Sequence, residues 1–291
     1  MDTQHITEYI ALIKGKNNGR FPFSHSILIE DDVTALIDTG CGIETLKSLK
    51  SADIIVNSHS HPDHTAGNWI FPECPLIVPE EDRDINSNVR KLSRRYAGEE
   101  LAGVWRAFVS QFMDFKDAVP TKTFCDESVL DFGETKLLAV YTPGHTLGHY
   151  CFFERKEKIL FSFDIDFTGF GPWYGHIESD IKSFKMSIER VRNLGPRIVV
   201  SSHRGIIKEG IEDEFDRFVE IFQKRDERLL NFLEKEKEFE EIVDEALIYR
   251  DFSFHPQLLK YWEGWMIQKH LRGLIDKGLV METGKGFVNI G

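Results

Sequence analysis

The chain has 291 residues, 41% of them hydrophobic and 29% charged, which is enough apolar material to bury a sizeable globular core. Its 48 acidic side chains outnumber 36 basic ones, and the net charge of −12 repels phosphate backbones and gives no long-range attraction toward nucleic acid. Four scattered cysteines without a C-x-x-C pair, no apolar run of membrane-spanning length and no signal-peptide pattern lead us to expect a soluble cytoplasmic protein with reduced thiols and no membrane partner.

From Ile6 to about Asn57, short β-branched and aromatic runs (YIALI, FPFSHSILIE, VTALIDTG, DIIVN) are broken by Gly, Asn and Asp and read as strands. Between Glu80 and Lys116 the spacing turns helical. Strands return at SVLDFG, TKLLAVYTPG, HYCFFERK and KILFSFD. A helix is expected from Asp180 to Asn193, capped by Ser179 and stopped at Gly195-Pro196, followed by the buried strand of RIVVSSHRG. A charged helix begins near Glu212. From about Glu236 the pattern is helix, helix and hairpin, with a turn at Gly284-Lys285-Gly286, which has the form of a winged helix. The expectation is an α+β fold in which a β-rich sandwich spans residues 1–235 and a small winged-helix-like domain spans 236–291.

The densest chemistry lies in NSHSHPDHTAGN, residues 57–68, which follows the apolar run Ile54–Val56. Imidazole and carboxylate are common ligands of zinc and similar metals. His59 and His61 are two apart in extended chain and project to one side, while Asp63 and His64 fall on the turn into a helix expected near Thr65. Ligand-type residues recur at later strand ends: His145 in TPGHTLGH, Asp164 in LFSFDID and His203 in VVSSHRG. With 11 histidines in the chain, the first cluster alone would arise by composition about once in a thousand tries.

On ALIDTG at 35–40, HSHPDH at 59–64, TPGHTLGH at 142–149 and the Asp164 and His203 segments, in that order, the chain resembles the metallo-β-lactamase superfamily. The resemblance implies an αββα sandwich with two divalent metal ions at one edge. They would be zinc first, with iron or manganese as alternatives. His59, His61 and His145 would hold the first ion, and Asp63, His64 and His203 the second. Asp164 would bridge them, and Asp63 is also given a catalytic part. Asp38 would orient ligands without touching metal, and His149 would pack nearby. Two departures stand out: Phe163 precedes the bridging aspartate and Arg204 follows the last histidine, where the family usually has Gly at both places. Phe163 is expected to narrow the space beside the bridge.

The resemblance implies a hydrolase in which hydroxide shared by the two metals attacks a small ester, thioester or lactone, as in the glyoxalase II branch. The winged-helix-like tail resembles a branch with an endoribonuclease, so RNA cleavage is the alternative; iron-dependent oxidation of a thiol-derived substrate is a third. The aromatic loop FTGFGPWYGHIES, 167–179, is expected to line a substrate pocket through Trp173, Tyr174 and His176. The helical insert could form a lid, with Arg90, Lys91, Arg94 and Arg95 either solvated or recognising an anion. Trp262 and Trp265 at helical spacing suggest packing on the main domain. The tail could equally serve dimerisation, giving a homodimer.

Overall fold

The β-branched runs form strands that pair in sequence order, in a computed structural model that describes residues 2–49 and 51–291. The first sheet has seven strands: β1 (Thr3–His5), β2 (Ile10–Ile13), β3 (Ser26–Glu30), β4 (Thr34–Ile37), β5 (Ile54–Val56), β6 (Leu76–Pro79) and β7 (Lys122–Phe124). The second has six: β8 (Val129–Asp131), β9 (Lys136–Tyr141), β10 (Tyr150–Glu154), β11 (Ile159–Phe163), β12 (Ile198–Ser201) and β13 (Gly205–Ile207). No strand was expected at β1, β6 or β7, each of which is only three or four residues long.

Period-two alternation sorts side chains into layers. Ile27 and Ile29 of β3 face inward and meet Phe152 and Phe161 of the second sheet, whereas Leu28 between them faces outward. On the outer side of the first sheet, Leu28, Leu36 and Ile55 pack with Leu46 of α1 (Ile43–Lys47). On the outer side of the second, Leu160 and Val199 meet α4 (Ile181–Arg192) and α5 (Ile211–Phe232). Helix α5 presents Phe215, Phe218, Phe222 and Leu229 on one buried face at helical spacing. The order is therefore helix, sheet, sheet, helix.

Parallel pairs need crossovers, and the crossovers carry the chemistry. Strands β5 and β6 are parallel, and the chain between them holds the histidine-rich loop and α2 (Pro62–Thr65). Strands β6 and β7 are joined through α3 (Val89–Met113). Strands β11 and β12 are joined through Asp164, the aromatic loop and α4.

The tail comprises α6 (Phe239–Asp244), α7 (Pro256–Asp276), β14 (Val280–Glu282) and β15 (Phe287–Asn289), in the expected order. Phe287 also bridges back to Lys237. Ile242, Met266, Leu271 and Val280 of this tail share one core with α4 and α5, and α7 packs across α3 through Leu258 and Trp262. Among the described residues no helix is long and apolar enough to cross a membrane.

Three local expectations need correction. Helix α2 starts at Pro62, whose ring suits the first helical position, so Asp63 and His64 lie within the helix and not before it. The cap of α4 is Asp180, whose carboxylate accepts from the Ser183 amide, and not Ser179. The helix expected over 80–116 begins only at Val89 and breaks at Gly98, where φ is 65°.

Replacing Phe222, which stacks on Tyr174 with ring centroids 5.3 Å apart, by Ala is expected to cost about 3–5 kcal/mol in urea unfolding. Because one core runs from α4 to Val280, fluorescence and circular dichroism should report a single transition, and a loss below about 1 kcal/mol would show that this face is not packed as described.

Candidate metal centre and its cavity

Most of the metal-type side chains sit just past the C-terminal end of a strand, and Asp63 and His64 lie in α2. Asp38 follows β4, His59 and His61 follow β5, His145 follows β9, Asp164 follows β11 and His203 follows β12. These ends meet at one edge of the sandwich, so segments up to 144 residues apart in the chain, His59 to His203, are brought together.

His59, His61, His145 and Asp164 each offer a donor atom, all within 4.8 Å of one another, and Asp63, His64 and His203 do the same beside them. Asp164 lies between the groups. Its Oδ2 is 3.0 Å from His145 Nε2, 3.8 Å from His59 Nε2 and 3.9 Å from His61 Nδ1; its Oδ1 is 2.9 Å from His64 Nε2 and 3.4 Å from His203 Nε2. Asp63 Oδ2 is 3.5 Å from His203 Nε2 and 3.9 Å from His64 Nε2. All seven residues assigned from the sequence thus converge.

The outward-facing ring nitrogens are all engaged. Asp38 accepts from the Ser58 amide and hydroxyl and, at 2.7 Å, from His64 Nδ1. With its proton given to Asp38, the Ser58 hydroxyl accepts from His59 Nδ1 at 3.0 Å. His145 Nδ1 donates to the Trp173 carbonyl at 2.8 Å, and His203 Nδ1 to the Gly19 carbonyl at 2.7 Å. These bonds turn the Nε2 atoms inward. His61 is turned the other way: Nδ1 faces inward, 2.9 Å from His145 Nε2, while Nε2 lies 2.7 Å from His176 Nε2. Asp63 is held through its backbone carbonyl, which accepts from the Ser24 hydroxyl at 2.7 Å. A Cβ on Gly40 would come within 1.5 Å of that same oxygen, so only glycine fits there.

His59 Nε2, His64 Nε2 and Asp164 Oδ1 are buried without a hydrogen-bond partner. Buried polar atoms are normally satisfied, and a set of imidazoles and carboxylates aimed at common points suits divalent zinc, iron or manganese. The residues therefore fit a metal centre. Without a cation, the buried charges compensate one another. Burial pushes His59 well below the usual imidazole range and His61 to about 4, helped by neighbouring imidazoles. For His64 burial opposes the charge, but Asp164 and Asp38 outweigh it and raise the group well above that range; Asp164 and Asp63 likewise lift His203 to about 9. Burial raises Asp164, yet His64, His145 and His203 hold it well below the carboxylate range.

His149 supports the centre from behind. Its Nδ1 donates to the Thr142 carbonyl at 3.1 Å, and its Nε2 accepts from the Asp164 amide at 3.3 Å, fixing the turn that presents Asp164; burial lowers this imidazole to about 3. That turn includes Phe163 in the left-handed region, at φ 46°. A non-glycine there costs about 1–2 kcal/mol. Contrary to expectation, Phe163 does not narrow the site. Its ring lies between the sheets against Phe152, 5.4 Å away, where burial offsets the backbone cost. Arg204 points away and clamps the Phe167 carbonyl and Glu214.

A cavity of about 380 Å³ opens onto His61, Asp63, His145, Asp164 and His203. Its walls are mainly aromatic: Tyr96, Trp105 and Phe108 from α3, Trp173 from the loop, and Trp262 from α7. Of the three residues expected to line a pocket, Trp173 and His176 do so and Tyr174 does not. Tyr174 follows Trp173 and so faces the opposite side, where its hydroxyl meets His270 and Arg225. The basic cluster also stays outside: Arg90, Lys91 and Arg94 are exposed and Arg95 pairs with Glu178 at 2.6 Å. The helical insert was expected as a lid, but its wall residues Trp105 and Phe108 were not named, because helical spacing says which residues share a face and not what the face covers.

The sequence model described as Metallo-beta-lactamase superfamily matches residues 19–203. The chain is 24% identical over 202 residues to acyl-coenzyme A thioesterase MBLAC2 of Gallus gallus, covering 63% of this chain and 69% of that one. It is 22% identical over 273 residues to the beta-lactamase-like protein 2 homolog of Caenorhabditis elegans, covering 88% and 81%. The structure of a metallo-beta-lactamase family protein from Thermus thermophilus superposes with a TM-score of 0.74 at 21% identity, covering 98% of this chain and 100% of that one.

Since His64 and His203 are held protonated in the metal-free chain, metal uptake at pH 7 should release up to about two protons. Apparent affinity should then tighten as pH rises toward about 9, where His203 loses its proton. Calorimetry in two buffers of different ionisation enthalpy reads the protons released; identical heats in both would contradict this charge assignment.

Proposed function

The chain belongs to the metallo-beta-lactamase superfamily and is a hydrolase of that superfamily, and from this premise we propose that it cleaves a thioester or ester with an apolar acyl group. The cavity carries this reading. Its aromatic walls end at the metal-type side chains, so an acyl chain lying along them would bring its carbonyl to Asp164 and the imidazoles. The name acyl-coenzyme A thioesterase, borne by relatives, supports the thioester form. A nucleic acid fits less well, since Arg20 is the only Lys or Arg in the lining and net charge is −12.

In this reading His59, His61 and His145 would hold one divalent cation and Asp63, His64 and His203 a second, with Asp164 between the two groups. Two such ions, zinc or another divalent metal that these donors accept, would supply an ionised water near pH 7 and positive charge at the carbonyl oxygen. The protein's own groups do the remainder. The Trp173, Trp105 and Phe108 walls exclude bulk water and orient the acyl chain. Asp63 lies on the cavity wall as the carboxylate placed to take up the proton that the nucleophilic water loses on ionising. A thiolate leaving group is stable enough to depart without a dedicated acid. The four cysteines are all free, which suits a reducing cytoplasm.

The test is a series of acyl thioesters of increasing length, assayed on protein of measured metal content. Each methylene buried in the cavity contributes about 0.8 kcal/mol, so kcat/KM should rise roughly fourfold per carbon until the cavity is full. Phosphodiesters and short RNAs should remain intact. A profile flat in chain length, or cleavage of RNA alone, would overturn the proposal.

A further inference from the structure

His176 approaches the centre without joining it. Its Nε2 lies 2.7 Å from His61 Nε2, on the far side of the His61 ring from His145 and Asp164. Two imidazole nitrogens at this distance share one proton. Which ring owns it decides whether His61 Nδ1 is bare. If His176 donated, His61 would carry its proton on Nδ1 and could not bind a cation there. If His61 donates, Nδ1 presents a lone pair. His61 is the only one of the five inward-facing imidazoles whose partner is another imidazole; the others rest on Ser58, Asp38 or backbone carbonyls, none of which leaves the tautomer in doubt.

The His176 ring is held in place from three directions. Tyr96 of α3 stacks on it, with centroids 3.9 Å apart and planes 13° from parallel. Trp173 meets it edge-on at 4.6 Å. Lys269 of α7 donates to its backbone carbonyl at 2.6 Å. Ser179, the residue expected to cap α4, instead ties this loop to the centre: its hydroxyl donates to the His145 carbonyl at 2.7 Å and accepts from the His176 amide at 3.3 Å.

We infer that His176 is a positioning residue for the metal centre: it accepts the Nε2 proton of His61, fixes the Nδ1-ligating tautomer and ring orientation, and makes metal affinity depend on α3 and α7, which hold it. The inference rests on the reading of His61 as a ligand. Its consequence is that His176 keeps its own proton on Nδ1, an atom that is buried and has no partner. Partners of this kind, one bond removed from the metal, typically change affinity by 10–100-fold when lost.

The experiment measures zinc affinity of the full chain by competition with a chelating dye. His176→Phe keeps an aromatic ring against Tyr96 but has no acceptor, and should weaken binding about 10–100-fold. His176→Gln places an amide oxygen near the Nε2 position and should recover most of that loss. Equal weakening in both variants, or none in His176→Phe, overturns the inference. Nitrogen-15 NMR of the zinc-loaded natural protein supplies a measurement that needs no variant: the His61 proton should sit on Nε2, and a proton on Nδ1 overturns the inference directly. His61→Ala separates the two levels. Unchanged zinc content there defeats the ligand reading itself, whereas loss of zinc in His61→Ala with full affinity in His176→Phe defeats only the role of His176.

Discussion

A buried carboxylate surrounded by imidazoles is the constraint on which the rest of the structure turns. Asp164 has no bulk water to stabilise its charge, so it needs positive charge within a few ångströms. The sandwich supplies this by bringing five histidines, carried on three segments, to one edge. In the metal-free chain two of them, His64 and His203, compensate by holding protons. With divalent cations the same geometry would need every inward nitrogen bare. A site with these charges would exchange protons for metal, and the hydrogen bonds behind each ring would hold the imidazoles in place as it did so.

Those supporting bonds explain why loops remote from the centre are so closely pinned. The carbonyls of Gly19 and Trp173 each accept from a metal-type histidine, so the backbone at both places must be held to a fraction of an ångström. Arg225 of α5 serves the second by donating to the Phe170 and Pro172 carbonyls, and Tyr249 serves it by accepting from the Trp173 indole at 2.6 Å. Glu263 of α7 accepts from the Ile248 and Tyr249 amides and so fixes Tyr249 in turn. A chain of contacts thus runs from the C-terminal helices to His145.

The cluster from His59 to His64 was legible because its chemistry is local: a histidine two places from another at a strand end projects to the same side whatever the remainder does. His145, Asp164, His203 and Asp38 were joined to it through the resemblance to the superfamily, since spacing alone does not bring distant strand ends together. Strands with period-two alternation were equally legible. What escaped depends on distant packing. The short strands β6 and β7 carry too little alternation to stand out, and they pair only because α3 crosses between them. Tyr174 looked like its neighbour Trp173, but adjacent side chains on an extended loop face opposite ways, and only the position of α5 decides which side is the cavity. His176 looked like a substrate contact because nothing nearby in sequence shows that His61 lacks another partner for its outer nitrogen.

The C-terminal helices bear on how this chain acquires specificity. Trp262 closes part of the cavity and anchors α7 to α3 by donating its indole proton to the Tyr96 carbonyl at 2.9 Å. The ring of Tyr96 in turn stacks on His176. Residues that shape the apolar wall are therefore the same residues that brace the centre, or their direct neighbours. If the cavity takes an acyl group as proposed, a substitution in α7 that enlarged the wall would also loosen the support of His61 and His145. In a site organised this way, the shape of the cavity and the bracing of the proposed metal ligands would not vary independently, because both follow from how firmly α3 and α7 hold the loop from Thr168 to Ser179.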